Sequence, residues 1–288
     1  MLKTISVAHS PDADDIFMYY AIKFGWVGAK DAKFDNTAED IETLNQATLK
    51  GEYDICAISF ALYPFVKDDY ALLKTAVSFG EGYGPKLIKR VGTKLKRNFK
   101  LALSGEFTTN ALLFKIAYPE ARITYMNFLE IEEAVLNKTV DAGVLIHESI
   151  LTYNNELEVE KELWDIWVEL SGGGLPLPLG GMCLRRSIPL HSAIDYENTL
   201  IKAVEVANKN RHVLAPMLIE QGLIRVDADI LDKYLDLYAN DNSVNMSDIQ
   251  YEALDKLFEL GYKNGFYENL VKSKEFLIPN EYEELRAR

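Results

Sequence analysis

Cysteine and histidine are scarce in this chain, two and four among 288 residues. No HxxxH, CxxC or HxH spacing occurs, so a bound zinc or other transition metal is not expected. Cys56 and Cys183 stand far apart with no secretory start before them, and read as buried reduced thiols. Long apolar runs are missing as well. Nothing approaches the roughly 20 residues that cross a bilayer. The opening MLKTISVAHSPDADD lacks the long apolar centre of a signal peptide. The expected compartment is therefore the cytoplasm. Positive charge is short too: 31 Lys and Arg against 44 Asp and Glu, for a net charge of -13. Without a basic face, nucleic acid and anionic membrane surfaces are poor partners. An anionic small molecule is still allowed, because a pocket can be locally positive in an acidic protein. Internal repeats, a GK[ST] phosphate loop and a GxSxG nucleophile motif are also absent.

What is present is apolar residue, 48% of the chain, enough for one large domain or two smaller ones. Strand-like and helix-like stretches alternate. LKTISVAH reads as a strand and IFMYYAIKFGWV as a helix punctuated by Gly25 and Gly28. IETLNQATLK is an amphipathic helix stopped by Gly51. DICAISFALYPF is a buried strand, then a short helix expected to end at Pro64. KLALSG, ARITYMN and AGVLIHES are strands separated by the helices TTNALLFKIAYP and FLEIEEAVLNKTVD. From about residue 192 onward the pattern is mostly helical. The alternation predicts an α/β fold with mainly parallel pairing, as two lobes with a C-terminal helical portion packed on one. A cleft between lobes is a common place for a small ligand.

The loops at strand ends hold the candidate chemistry. In HSPDADDIF, Pro11 keeps Ser10 out of helical geometry, so a helix starts within a few residues. Asp12 or Asp14 can cap it, and Asp15 favours its positive end. This explains three carboxylates without a metal, since a calcium loop would continue with further oxygen ligands. Free N–H groups in such a turn could also face an anionic or carbonyl ligand. Ser59 ends the AIS strand as a cap or a ligand contact. Thr108, Thr109 and Asn110 open a helix after Gly105, where hydroxyls and free N–H groups suit a carboxylate; ordinary capping is the simpler reading. FGEGYGPKLI, with three glycines at spacing two, suits a hinge or lobe crossover. His147 sits where the strand VLIH meets a polar loop, a place for a general base; Glu148 beside it either orients it or is simply solvated. GGGLPLPLGG is an extended, stiff stretch between glycines. Arg185 and Arg186 after it either offset an anionic ligand or are surface charges.

HSPDADDIFMYYA, YDICAISFALYP, GEGYGP, SGEFTTNALL, VLIHE and GLPLPLGG follow one another in order. In this the chain, over residues 1 to about 190, resembles the 1,4-dihydroxy-6-naphthoate synthase family of the futalosine route to menaquinone. The resemblance implies the fold of type II periplasmic binding proteins. Lobe I would comprise residues 1–90 plus 190–288, and lobe II residues 91–189. It implies a lyase that converts cyclic dehypoxanthinylfutalosine to 1,4-dihydroxy-6-naphthoate, releasing the sugar-derived fragment without a cofactor. His147 falls on the family's proton acceptor. Ala57, Ile58 and Ser59 fall on its AIS loop, and Thr108, Thr109 and Asn110 on its helix start; these would hold the substrate's carboxylate or hydroxyls. Relatives whose first loop reads SPCPNDTF differ from SPDADDIF here, a departure that agrees with a capping role for Asp12 and Asp14. The sister chorismate dehydratase shares the fold but would lack GLPLPLGG. A transporter's solute-binding protein would need an export signal, and a ligand-sensing domain would normally carry a DNA-binding module.

Overall fold

The structure is a computed structural model that describes residues 2–224 and 226–279. The end of the expected first lobe, residues 280–288, lies outside the described residues. The chain opens with β1 (Lys3–His9), α1 (Ala13–Lys23), β2 (Ala32–Ala38), α2 (Ile41–Lys50), β3 (Ile55–Ser59), α3 (Tyr63–Val66), β4 (Tyr70–Leu72) and β5 (Ser78–Gly80). It then crosses to a second lobe built from β6 (Lys86–Arg90), β7 (Lys100–Leu103), α4 (Thr109–Ala117), β8 (Arg122–Tyr125), α5 (Phe128–Leu136), β9 (Ala142–Leu145), β10 (Leu157–Glu162) and α6 (Leu163–Ser171). β11 (Leu177–Arg185) returns to the first lobe. α7 (Leu190–Lys209), α8 (Arg211–Glu220), α9 (Ala228–Tyr238) and α10 (Asp248–Lys263) follow, with α7 against α1 and α10 against β11.

The first sheet has the order β2-β1-β3-β11-β4, with β5 beside β11; the second has the order β10-β6-β9-β7-β8. Pairing is mixed rather than mainly parallel. β1 is parallel to β2 and β3, and β7 to β8 and β9. β6 and β11 run antiparallel to all their neighbours. The cause lies in the crossings. β1, β3, β7 and β9 end at the cleft, whereas β6 and β11 enter their sheets from it. The same crossings shift the expected division at residues 90 and 189. β6 hydrogen-bonds in the second sheet and β11 in the first, so each strand belongs across the boundary drawn from sequence. Inter-sheet partnership has no local signal in a sequence. The connecting segments are short, residues 81–85 and 172–176, and the first is the stretch expected as a crossover. Gly172, Gly173 and Gly174 all take positive φ in the second, a run that residues with a Cβ strongly resist.

Local rules account for most elements. Asp40 caps α2 by accepting from Glu42 N and Thr43 N, and Gly51 ends it at φ 68°. Pro64 stands at the start of α3, not at its end, because a first-turn position does not need the missing N–H. β2 lies outside the strands expected from the sequence; its AKFDNTA is polar and half exposed, the character of an edge strand that β1 organises. Phe17, Phe60, Tyr63 and Phe258 are fully buried in the first lobe, and Phe114 and Trp167 in the second. Each such side chain contributes about 1.5–3 kcal/mol of burial, which holds the two strand-end rims rigid. Cys56 and Cys183 are buried and unbridged, facing each other across β3 and β11. No helix among the described residues is long and apolar enough to cross a membrane.

Candidate functional site

A cleft of about 710 Å³ lies between the lobes, where the ends of β1, β3, β7 and β9 converge. Ala57, Ile58 and Ser59 reach it from the end of β3. Thr108, Thr109 and Asn110 reach it from the start of α4, and His147 from the turn after β9. The seven residues singled out from the sequence thus share one cavity, contributed by both lobes. Ile41, Ile146 and Leu179 give it apolar walls. No lysine or arginine is found among the described residues that line it. Arg185 lies over the Tyr70 ring and Arg186 donates to Lys67 O, both away from the cleft, so neither faces its ligand.

The polar groups are held differently. Ser59 Oγ accepts from Asn45 Nδ2 at 3.2 Å while Ser59 N donates to Asn45 Oδ1 at 3.0 Å. Asn45 itself is fully buried, so the Ser59 hydroxyl is set by a fixed amide. Thr108 does what its position suggested: it caps α4, accepting from Ala111 N at 3.1 Å. The Thr109 hydroxyl bridges the lobes, donating to Leu179 O at 3.0 Å and accepting from Ala61 N at 3.3 Å. It is engaged with protein and less suited to a substrate carboxylate than expected. Ser104, one residue past β7, has a buried Oγ with no hydrogen-bond partner and lines the same cavity. Its local sign in the sequence is its place at the strand end in SGEFTT, ahead of the two threonines.

His147 takes a left-handed backbone conformation, φ 55°, which is uncommon for residues other than glycine. Its Nδ1 lies 2.6 Å from Asp12 Oδ2. Its Nε2 is buried without a hydrogen-bond partner. The edge of the Phe128 ring packs at 4.9 Å. Burial opposes charge on the imidazole, yet Asp12, with Glu148 and Asp14 behind it, outweighs that and raises the pKa above its usual value. Glu148, expected to orient the histidine or to be solvated, is buried and accepts from Ala13 N at 3.0 Å, anchoring the start of α1.

The acidic turn therefore differs from the capping expectation. α1 does begin at Ala13, and Asp12 occupies the N-cap position, but its side chain makes no cap bond. Asp14 Oδ2 accepts from Ser78 Oγ at 2.9 Å, and Asp15 Oδ2 from Ser10 N at 2.8 Å. Burial, then the neighbouring Asp12, raises the Asp14 pKa to about 7. Burial, then Asp14 and Asp12, pushes Asp15 well above the carboxylate range. Among the described residues, no group of three or more His, Cys, Asp and Glu is arranged to hold a metal ion. Two further wall residues come from the helical third, which gave no local sign of them. Tyr234 and Tyr238, one helical turn apart on α9, are buried with rings 4.8 Å from each other. Burial raises both phenols well above their ordinary range, so they stay neutral donors.

A family model described as menaquinone biosynthesis matches residues 5–263. The chain belongs to the menaquinone-biosynthesis family. Within that family's range, it is 30% identical over 258 residues to a 1,4-dihydroxy-6-naphtoate synthase of Streptomyces coelicolor, covering 87% of this chain and 90% of that one. A crystal structure of a protein from Archaeoglobus fulgidus matches at 34% identity and a TM-score of 0.84, over 91% of this chain and 98% of its own. The ligand-binding component of an ABC-type import system from Staphylococcus aureus is 12% identical, with a TM-score of 0.69 over 98% of both chains. That likeness concerns the fold alone: this menaquinone-biosynthesis chain has the architecture of a periplasmic binding protein.

Proposed function

We propose that this chain works as a 1,4-dihydroxy-6-naphthoate synthase in menaquinone biosynthesis. Its substrate in this reading is cyclic dehypoxanthinylfutalosine, and the reaction is a cofactor-independent carbon–carbon lyase step. The family membership and the Streptomyces relative support the synthase assignment. The observation that carries the chemistry is His147 Nε2, buried at the cavity wall without a protein partner.

The step runs as proton abstraction and elimination. His147 Nε2 takes the proton from the carbon beside the substrate carbonyl, and the electron pair moves onto the carbonyl oxygen. The Ser59 hydroxyl, held by Asn45, donates to that developing oxyanion. Collapse of the enolate breaks the bond to the sugar-derived fragment. The fragment leaves with the bonding pair, takes a proton, and the ring system aromatises. Oxidation state is conserved overall. Ser104, Asn110 and the N-terminal end of α4 hold the substrate carboxylate; the first turn of α4 has no acidic residue to compete for its dipole. The apolar walls pack the bicyclic ring.

The test is a turnover assay of purified protein in chelator, with cyclic dehypoxanthinylfutalosine and chorismate in separate tubes, read by mass spectrometry. Formation of 1,4-dihydroxy-6-naphthoate from the first is the expected result. Turnover of chorismate alone, or binding without turnover in both tubes, would overturn the reading.

A further inference from the structure

His147 and Asp12 come from opposite lobes. His147 follows β9 in the second sheet, and Asp12 follows β1 in the first. Their side chains are 16% and 5% exposed, so the 2.6 Å contact is formed largely out of water. Four other bonds cross the cleft beside it: Glu148 Oε1 from Ala13 N at 3.0 Å, Glu42 Oε2 from Phe107 N at 3.2 Å, and Thr109 Oγ1 to Leu179 O at 3.0 Å and from Ala61 N at 3.3 Å. All five exist only with the lobes together. The carboxylate accepts the Nδ1 proton, which leaves the lone pair on Nε2, the ring nitrogen without a protein partner.

We infer that Asp12 is a positioning residue that fixes the basic tautomer of His147, and that closure of the cleft assembles this pair, so the base is complete only in the closed protein. This rests on the synthase reading for its rate measurement but not for its structural one. In an open cleft, His147 is a solvated imidazole with neither tautomer preferred. In the closed one, Asp12 and Asp14 face it from the first lobe, Glu148 from its own turn, and Phe128 from α5 as an uncharged edge. A molecule whose lobes stand apart offers no oriented base. Premature deprotonation of a loosely bound ligand is thereby suppressed.

The first arm compares Asp12→Asn, which keeps the volume, with the wild type. Expected is a fall in kcat of about 100-fold with KM changed less than about fivefold. The acidic limb of the kcat/KM profile should move to lower pH, because removing Asp12 removes the largest influence that favours the imidazolium. The second arm follows ¹⁵N-labelled imidazole by NMR in substrate-free protein. The wild type should show the Nδ1–H tautomer and a raised His147 titration, and Asp12→Asn should lose both. The third arm uses Gly105→Leu as a wedge. A Cβ at Gly105 already meets the Glu42 Cβ at 2.6 Å across the cleft, so the larger side chain forces the lobes apart, which scattering verifies. That variant keeps both partners, yet its His147 signal should resemble that of Asp12→Asn. A folded Asp12→Asn with kcat within threefold, or an unmoved His147 titration in either variant, would overturn the inference. If the wild type fails to turn over cyclic dehypoxanthinylfutalosine, the synthase reading fails while the NMR arms still decide the pair.

Discussion

The turns after β1 and β7 occupy matching places in the two lobes: each leads from a strand end at the cleft into a helix N-terminus. Their chemistry is opposite. The first turn carries Asp12, Asp14 and Asp15, and α1 keeps two acids in its first turn. The second carries Ser104, Thr108 and Thr109, and α4 has no acid in its first turn. The first turn thus fills its own helix start with carboxyl groups that burial keeps from ionising readily, and turns the remaining carboxylate, Asp12, toward a histidine. The second spends its threonines on capping and on the lobe contact, and leaves the Ser104 hydroxyl and a helix dipole for a ligand anion. One backbone device, repeated, places proton handling on one side of the cavity and substrate holding on the other.

Changes on each side should separate the two roles. The largest effect is expected from His147→Asn, which should lower kcat at least 1,000-fold while substrate affinity stays within about tenfold, roughly 1.4 kcal/mol, by calorimetry. Substantial turnover in that folded variant would remove the base and merge the two roles. A smaller effect is expected from Asp14→Asn on stability. The folded-state pKa of Asp14 is raised to about 7. Its contribution is therefore full below the ordinary carboxylate range and is lost as pH rises from about 4 toward 7, where the unfolded chain releases the proton that the fold retains. Thermal melts should show Asp14→Asn gaining on the wild type across that window and level with or below it at pH 4; a gap independent of pH would refute the assignment. The smallest effect is expected from Ser104→Ala, whose lost hydroxyl should raise KM about fivefold, near 1 kcal/mol, with kcat nearly constant. A drop in kcat instead would put the second turn into the proton chemistry.

Much of this arrangement was readable along the chain. Helix ends follow local capping rules, so Thr108 and Gly51 are found in the roles their positions suggested. Strand ends in an α/β protein face the ligand crevice, so Ser59, Thr108 and His147 could be gathered from their positions alone. Local rules failed where a residue's partner is distant in sequence. Asp12 has the local pattern of a cap, and nothing nearby in sequence shows that residue 147 lies 2.6 Å away. Glu148 is adjacent to the histidine, which suggests an orienting or a solvated group, yet it bonds Ala13, 135 positions earlier. Tyr234 and Tyr238 look like an ordinary helix stripe until α9 is packed over the cleft.

The sequence by itself determined most of the elements, the acidic charge balance, and the family signature in the strand-end loops, because propensity, capping and composition act over a few residues. Tertiary structure alone decided that β6 and β11 exchange lobes, that Arg185 and Arg186 turn away from the cavity, and that the imidazole of one lobe is paired by the carboxylate of the other. Those outcomes depend on which strands pair and how two lobes meet, and long-range closure leaves no periodic trace in the chain that undergoes it.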